Sequence, residues 1–277
     1  MFRQVRKHAA STSSKGRAVT PPTPPIGVEY LTFTAEQANS TTVMISTLET
    51  APNLEYSTDG GETWNTWNHT TAEGVHTFDT ITLGSVGDEV KLRGVNPNGF
   101  LDIQNEIMSL FSMTGKIAAS GNIQTIVDGD NPTLTAKTMP FFNDSFLTEE
   151  PSDVLTTAPA LPATTLTNSC YADMFNGCTS LTAAPALPAT TLAIYCYNGM
   201  FAGCTGLTAA PALPATTLAE GCYSDMFAGC TFDMSDDGTT LNFQCDATLP
   251  QTVVFDTFSV PYDLASWMGN TNGFTEP

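Results

Sequence analysis

The stretch that decides the fold reads LTTAPALPATTLTNSCYADMFNGCTS at residues 155–180, LTAAPALPATTLAIYCYNGMFAGCTG at 181–206 and LTAAPALPATTLAEGCYSDMFAGCTF at 207–232. Three copies of a 26-residue unit follow one another without a gap, and 18 of the 26 positions hold the same residue in all three. A unit this short has no interior of its own. A tandem array of such units buries its apolar residues between neighbouring copies, which is the logic of a solenoid.

Variation within the unit is concentrated at Asn168/Ile194/Glu220, Ser169/Tyr195/Gly221, Ala172/Asn198/Ser224, Asp173/Gly199/Asp225 and Asn176/Ala202/Ala228, a spacing of i, i+1, i+4, i+5, i+8. The invariant Cys170, Tyr171, Met174, Phe175 and Cys178 repeat that spacing two residues later. The pattern predicts one short helix per copy, apolar on one face and variable on the other, with Thr165 as N-cap and Gly177 beyond the C-terminus. The rest of the copy, Leu-Thr-x-Ala-Pro-Ala-Leu-Pro, is expected to run extended. Its two prolines keep any parallel sheet narrow, and Leu161, Leu187 and Leu213 with Leu166, Leu192 and Leu218 are expected to stack as ladders. On the variable face, Asn168, Asp173, Ile194, Tyr195, Asn198, Glu220 and Asp225 are the candidate surface-binding residues.

Six of the seven cysteines recur with the repeat, and Cys245 follows it. Eight helical positions between Cys170 and Cys178 correspond to about 12 Å along a helix axis, beyond the ~7 Å reach of a disulfide. Reduced core thiols are therefore favoured over cross-rung disulfides. Zinc is disfavoured because there is no C-x-x-C pair and no histidine after His76. No metal and no cofactor is expected.

Ahead of the repeat, about residues 26–115 hold short β-rich runs at roughly ten-residue spacing: 29–33, 42–46, 54–57, 63–67, 76–82, 89–93 and 108–112. This rhythm predicts an Ig-like antiparallel β-sandwich, with turns at Asp59-Gly60-Gly61 and Asn96-Pro97-Asn98-Gly99. The fold class is thus mainly β with short helices, a sandwich followed by a short repeat solenoid. The expected divisions are 1–25 basic arm and Pro-rich linker, 26–115 sandwich, 116–154 connector and solenoid N-cap, 155–232 repeats and 233–277 C-terminal cap. Within the sandwich, Ser57-Thr58-Asp59-Gly60-Gly61-Glu62-Thr63-Trp64 fits the Asp-box pattern of sialidase propellers, where the box is a folded hairpin away from the chemistry. Asp128-Gly129-Asp130-Asn131 reads as an acidic turn rather than a cation loop, its spacing falling short of an EF-hand.

Charged residues make up 13% of the chain, against roughly 25% in ordinary soluble domains. Five of the nine bases lie in the first 17 residues, where there is no acid, so the chain beyond carries 4 bases against 28 acids, a formal −24. Such a body repels phosphate, and no nucleic-acid partner is expected for it. No Lys or Arg follows Lys137, and the histidines are His8, His69 and His76. Without these groups the C-terminal half lacks the usual bases, clamps and oxyanion partners of hydrolytic or phosphoryl-transfer chemistry, and a non-enzymatic protein is expected. The first 17 residues do not read as a secretory signal, and no stretch reaches the ~20 apolar residues of a membrane span, so synthesis in the cytoplasm and no membrane partner are expected. Phe2, Arg3, Val5, Arg6 and Lys7 are the candidate anchoring residues, joined to the body through Pro21-Pro22-Thr23-Pro24-Pro25.

The unit L-T-x-A-P-A-L-P-A-T-T-L-x-x-x-C-Y-x-x-M-F-x-G-C-T-x resembles BspA-type leucine-rich repeats of gut-bacterial surface proteins and of their crAss-like phages. The DGG-x-TW hairpin and the segment from Ser112 to Ile123 are similar to the context that precedes such repeats. The resemblance implies display and adhesion and carries over no catalytic residue. It points to a phage virion protein, a head fibre or capsid decoration, held to a capsid or other virion protein by the N-terminal arm. Homo-oligomerisation and a host-surface or mucus glycan or protein as the outward partner are further implications. The alternatives are a bacterial cell-surface adhesin and, behind it, a glycosidase built around the Asp box.

Overall fold

A computed structural model of the protein describes residues 27–102, 107–142, 152–215 and 217–230. The arm and linker at 1–25, the cap at 233–277 and Cys245 lie outside the described residues. The chain is mainly β. Its strands are β1 (Leu31–Ala35), β2 (Ser40–Ser46), β3 (Leu54–Ser57), β4 (Asn65–Thr66), β5 (His69–Ala72), β6 (Val75–Phe78), β7 (Ile81–Leu83), β8 (Glu89–Gly94), β9 (Ser109–Thr114), β10 (Ile117–Ser120) and β11 (Leu155–Thr157). One four-residue helix, α1 (Thr125–Asp128), is the sole α-helix among the described residues.

The strands form two sheets, one in the order β11-β10-β1-β8-β3-β4 and the other β5-β6-β2-β7 with β9 on the far side of β2. Alternation drives both: Val90 and Leu92 of β8 and Leu31, Phe33 and Ala35 of β1 are buried, as are Met44, Phe111 and Leu83 of the second sheet. The run 76–82, expected as one strand, is two. β6 and β7 both pair along β2 and are separated at residues 79–80, where the N–H of Asp79 bonds to the carbonyl of Asn68.

Strand pairing runs across residues 115 and 154. β10 pairs antiparallel with β1, and β11, the opening of the first repeat copy, pairs parallel with β10. One hydrophobic cluster runs from Leu31 to Cys230. Its spine is aromatic: Phe33, Phe111 and Phe142 meet edge to face at 5.1–6.0 Å, Phe142 lies 5.3 Å from Phe175, and Phe175, Phe201 and Phe227 stack at 5.6–5.7 Å. Tyr171, Tyr197 and Tyr223 form a second column at 5.7–5.8 Å. Each such ring pair contributes about 0.5–1.5 kcal/mol beyond area burial.

The predicted helix in each copy is not formed. Residues 167–178 make successive tight turns in which even-numbered N–H groups bond three residues back, Cys170 to Thr167 and Asn176 to Asp173 among them. Odd-numbered N–H groups leave the copy altogether. Ser169, Tyr171, Asp173, Phe175 and Gly177 donate to the carbonyls of Ile194, Cys196, Asn198, Met200 and Ala202 at 2.7–2.9 Å, and the second copy does the same toward the third. An α-helix commits every interior N–H to its own chain, so it has none to spare for a neighbour. The backbone repeats every four residues, with positive φ at 169, 173 and 177 and at their equivalents in the next two copies. A period of four aligns the same side chains as a period of 3.6 over so short a segment, which is why the spacing read as helical. Leu161, Leu187, Leu192 and Leu213 are buried as expected, whereas Leu166 and Leu218 are only partly so.

Because the sheets and the stacked copies share one spine, Phe175→Ala should cost about 3–5 kcal/mol. Urea denaturation followed by tryptophan fluorescence and by far-UV circular dichroism should give one coincident transition, shifted equally in both signals. Two separated transitions would show that the sheets and the repeats are independent units.

Candidate functional site

The ladder of inter-copy bonds places equivalent residues of successive copies side by side. The variable positions therefore form columns on one surface. Asn168, Ile194 and Glu220 make one column, all exposed, and Ser169, Tyr195 and Gly221 the next. Ile194 and Tyr195 are 39% and 41% exposed, the largest apolar side chains showing on this face. Tyr195 donates its hydroxyl to Glu220 at 3.4 Å and lays its ring over Gly221, where any Cβ would collide with it.

Other candidates are engaged within the stack. Asn198 is half-buried and donates its amide to the carbonyl of Ser224 at 3.2 Å. Asp225 is exposed and accepts from Ser224 at 3.3 Å. Asp173 is half-buried against Gly199, accepts from the Asn176 amide at 3.0 Å, and has its pKa raised by burial and further by the charge of Asp225. Ala172, at a variable position, is buried. The free face is thus narrower than the spacing implied. Phe2, Arg3, Val5, Arg6 and Lys7 lie outside the described residues.

At its first copy the column of Asn168 opens into a cleft of about 670 Å³ that sequence reading did not anticipate. The loop 48–53, the turn 95–99 and Asn168 with Ser169 converge on it. Its wall is held by two polar side chains, the buried Asn96 and the half-buried Thr138. The Asn96 amide donates to the carbonyls of Asn53 at 3.0 Å and Ile126 at 2.7 Å, and its oxygen accepts from the Asn53 N–H at 2.8 Å. Thr138 accepts from the N–H groups of Phe100 and Leu101. Gly99, at φ 77°, rests directly on Thr138, and a Cβ there would overlap it. The sequence marked Asn96-Pro97-Asn98-Gly99 as a turn but carried no sign that this turn faces residues 168–169.

The remaining sequence motifs are structural in their contacts. Asp59 accepts from the Ser57 hydroxyl at 2.7 Å and from the Thr63 hydroxyl and N–H at 2.5 and 2.9 Å, and these bonds hold its carboxyl well below the usual range. Arg93 bonds Glu55 at 2.8 Å and Asp130 at 2.9 Å and lies over Trp64 at 4.2 Å, while Tyr30 donates to Asp130. Burial and the Asp130 carboxylate push Tyr30 up to about 12. Asp128 accepts from the N–H and hydroxyl of Thr133. The six described cysteines are buried thiols. Burial pushes Cys196 and Cys230 up to about 12 and Cys222 to about 11, which keeps them protonated and poorly nucleophilic. The expected absence of disulfides along a helix rested on a helix that is not there; in the structure the sulfurs face backbone carbonyls, Cys204 to Phe175 and Cys230 to Phe201 at 3.0 Å.

Among the described residues no helix is long and apolar enough to cross a membrane. Comparison of the chain with protein-family models, with curated proteins and with solved structures gives no match.

A carboxyl whose folded pKa is raised opposes folding above that pKa and ceases to do so in acid. Asp173→Asn keeps a residue that tolerates positive φ and removes the buried charge. Its melting temperature should exceed that of the parent chain at pH 7, and the gap should close as the pH falls below the ordinary aspartate value of about 3.9. A gap that is absent at pH 7, or that widens in acid, would contradict the burial of this charge.

Proposed function

We propose that this chain is a non-enzymatic structural protein of a phage virion, a head fibre or capsid decoration that displays its stacked repeats outward for adhesion to host-surface or mucus glycans. In this reading the two-sheet unit is an Ig-like sandwich and the copies at 155–232 are BspA-type leucine-rich repeats. The N-terminal arm binds a capsid or other virion protein through Phe2, Arg3, Val5, Arg6 and Lys7, and the displayed protein is a homo-oligomer.

The observation that carries the reading is the partition of charge along the chain. A short cationic segment with two apolar residues is set off by a proline-rich linker from a body of formal −24. Oppositely charged ends favour docking of one end while the other stays in solvent. The repeat stack supports the outward role, because its invariant residues supply the core and its variable ones stand in columns on a surface. A glycosidase centred on the Asp box is disfavoured by the engagement of the Asp59 carboxylate with Ser57 and Thr63, since a catalytic carboxylate has to be open to its substrate.

Deletion of residues 1–20 should abolish incorporation of the chain into particles while leaving its circular dichroism unchanged. Undiminished incorporation would overturn the anchoring role, and recovery of the full chain on the bacterial surface without particles would replace the virion reading by that of a cell-surface adhesin.

A further inference from the structure

The cleft beside Asn168 holds the combination of groups that a neutral sugar requires. Its volume of about 670 Å³ falls within the ~300–1,000 Å³ of small-molecule sites. Asn53, Asn98 and Asn168 line it from three separate segments, and all three are exposed. Their side-chain amides make no hydrogen bond among the described residues, in contrast with Asn96, whose amide is fully engaged in the wall. Each free amide offers both donors and an acceptor, the pairing that adjacent sugar hydroxyls satisfy. Val95, 59% exposed, and Pro97 supply an apolar patch for the C–H face of a ring.

Charge narrows the ligand further. Among the described residues the lining contains no Lys, Arg or His, and two carboxylates, Glu49 and Asp102, stand at it. With the acidic body behind them, an anionic ligand is repelled. The backbone of the walls is braced. Asn96 ties the 48–53 loop to α1, and Thr138 bonds the backbone of Phe100 and Leu101, so little backbone ordering remains to be done on binding.

We infer that this cleft, at the junction of the two-sheet unit and the first repeat copy, binds an uncharged oligosaccharide through the amides of Asn53, Asn98 and Asn168. The inference rests on the adhesion reading for its ligand class and places recognition at the cleft rather than at Ile194 and Tyr195.

The test uses the purified full chain and a set of neutral oligosaccharides built from hexoses and N-acetylhexosamines, with sialylated versions of the same chains, read by array and by titration calorimetry. The expected result is binding of a neutral member, weakened about tenfold or more by Asn98→Ala combined with Asn168→Ala at an unchanged melting temperature. Ile194→Ala combined with Tyr195→Ala should leave that affinity within about twofold, since neither side chain lines the cleft. Val95→Asp, at an exposed position, should also abolish binding. Binding that survives the asparagine pair and is lost with the Ile194 and Tyr195 pair would overturn the cleft while leaving the adhesion reading in place. No binding to any neutral member, or preference for the sialylated ones, would overturn the inference, and the virion reading would still be decided separately by particle incorporation.

Discussion

The N–H groups of Ser169, Tyr171, Asp173, Phe175 and Gly177 bond to carbonyls of the following copy, and the stacked region depends on that ladder. To aim alternate donors out of the copy, the backbone has to reverse every four residues, which it does through positive φ at 169, 173 and 177. Gly177, Gly203 and Gly229 take up the last of these positions without a Cβ penalty. Of the other six, Gly199 and Gly221 are also glycine, and Ser169, Asp173, Tyr195 and Asp225 occupy the rest at a cost in backbone energy that the inter-copy bonds offset. Regular turning then brings Cys170, Tyr171, Met174, Phe175 and Cys178 to the interior of every copy, where identical side chains stack on one another.

That interior is not closed off from the rest of the chain. Phe142 stands between Phe175 on one side and Phe33 and Phe111 on the other, and β11 extends the sheet of β10 and β1 into the first copy. The first copy therefore has a hydrogen-bonding partner on its leading edge, residues 134–142 and 152 supplying groups that bond to Thr165, Cys170, Met174 and Gly177. An array of three copies is short for a free-standing stack, and the shared sheet and spine give it a foundation. The few cations of the body serve the same end. Arg93 is held by Glu55, Asp130 and Trp64, and Lys116 joins Asp153 and Ser180, so both are spent on internal bracing.

Much of the β-rich part was legible from alternation alone. β1, β2, β3, β8 and β9 lie within a few residues of the runs read from the sequence, and the alternation is clean in β2 and β8, where every second side chain is buried. β5 was missed since His69, Thr70, Thr71 and Ala72 are all exposed and carry no alternating signal. β10 was missed because Ile117-Ala118-Ala119-Ser120 is short and small, and only its pairing with β1 and β11 makes it a strand. In the candidate site, the columns of Asn168/Ile194/Glu220 and Ser169/Tyr195/Gly221 were readable from repeat variation. The cleft was not, for it is assembled from segments as far apart as 48–53, 95–99 and 168–169, and no local pattern encodes that approach.

That the copies stack, which residues face inward and which vary, and that a cationic arm precedes an acidic body can all be read from the chain alone, because periodicity and charge survive any change of backbone conformation. The tertiary structure alone decided that the repeating segment turns instead of coiling into a helix, that sheets and repeats share one core, and that a polar cleft opens where they meet. The physical reason is the same in each case. A backbone N–H has one bond to give, and whether it gives it to its own turn or to a neighbouring copy is settled by what lies next to it in space.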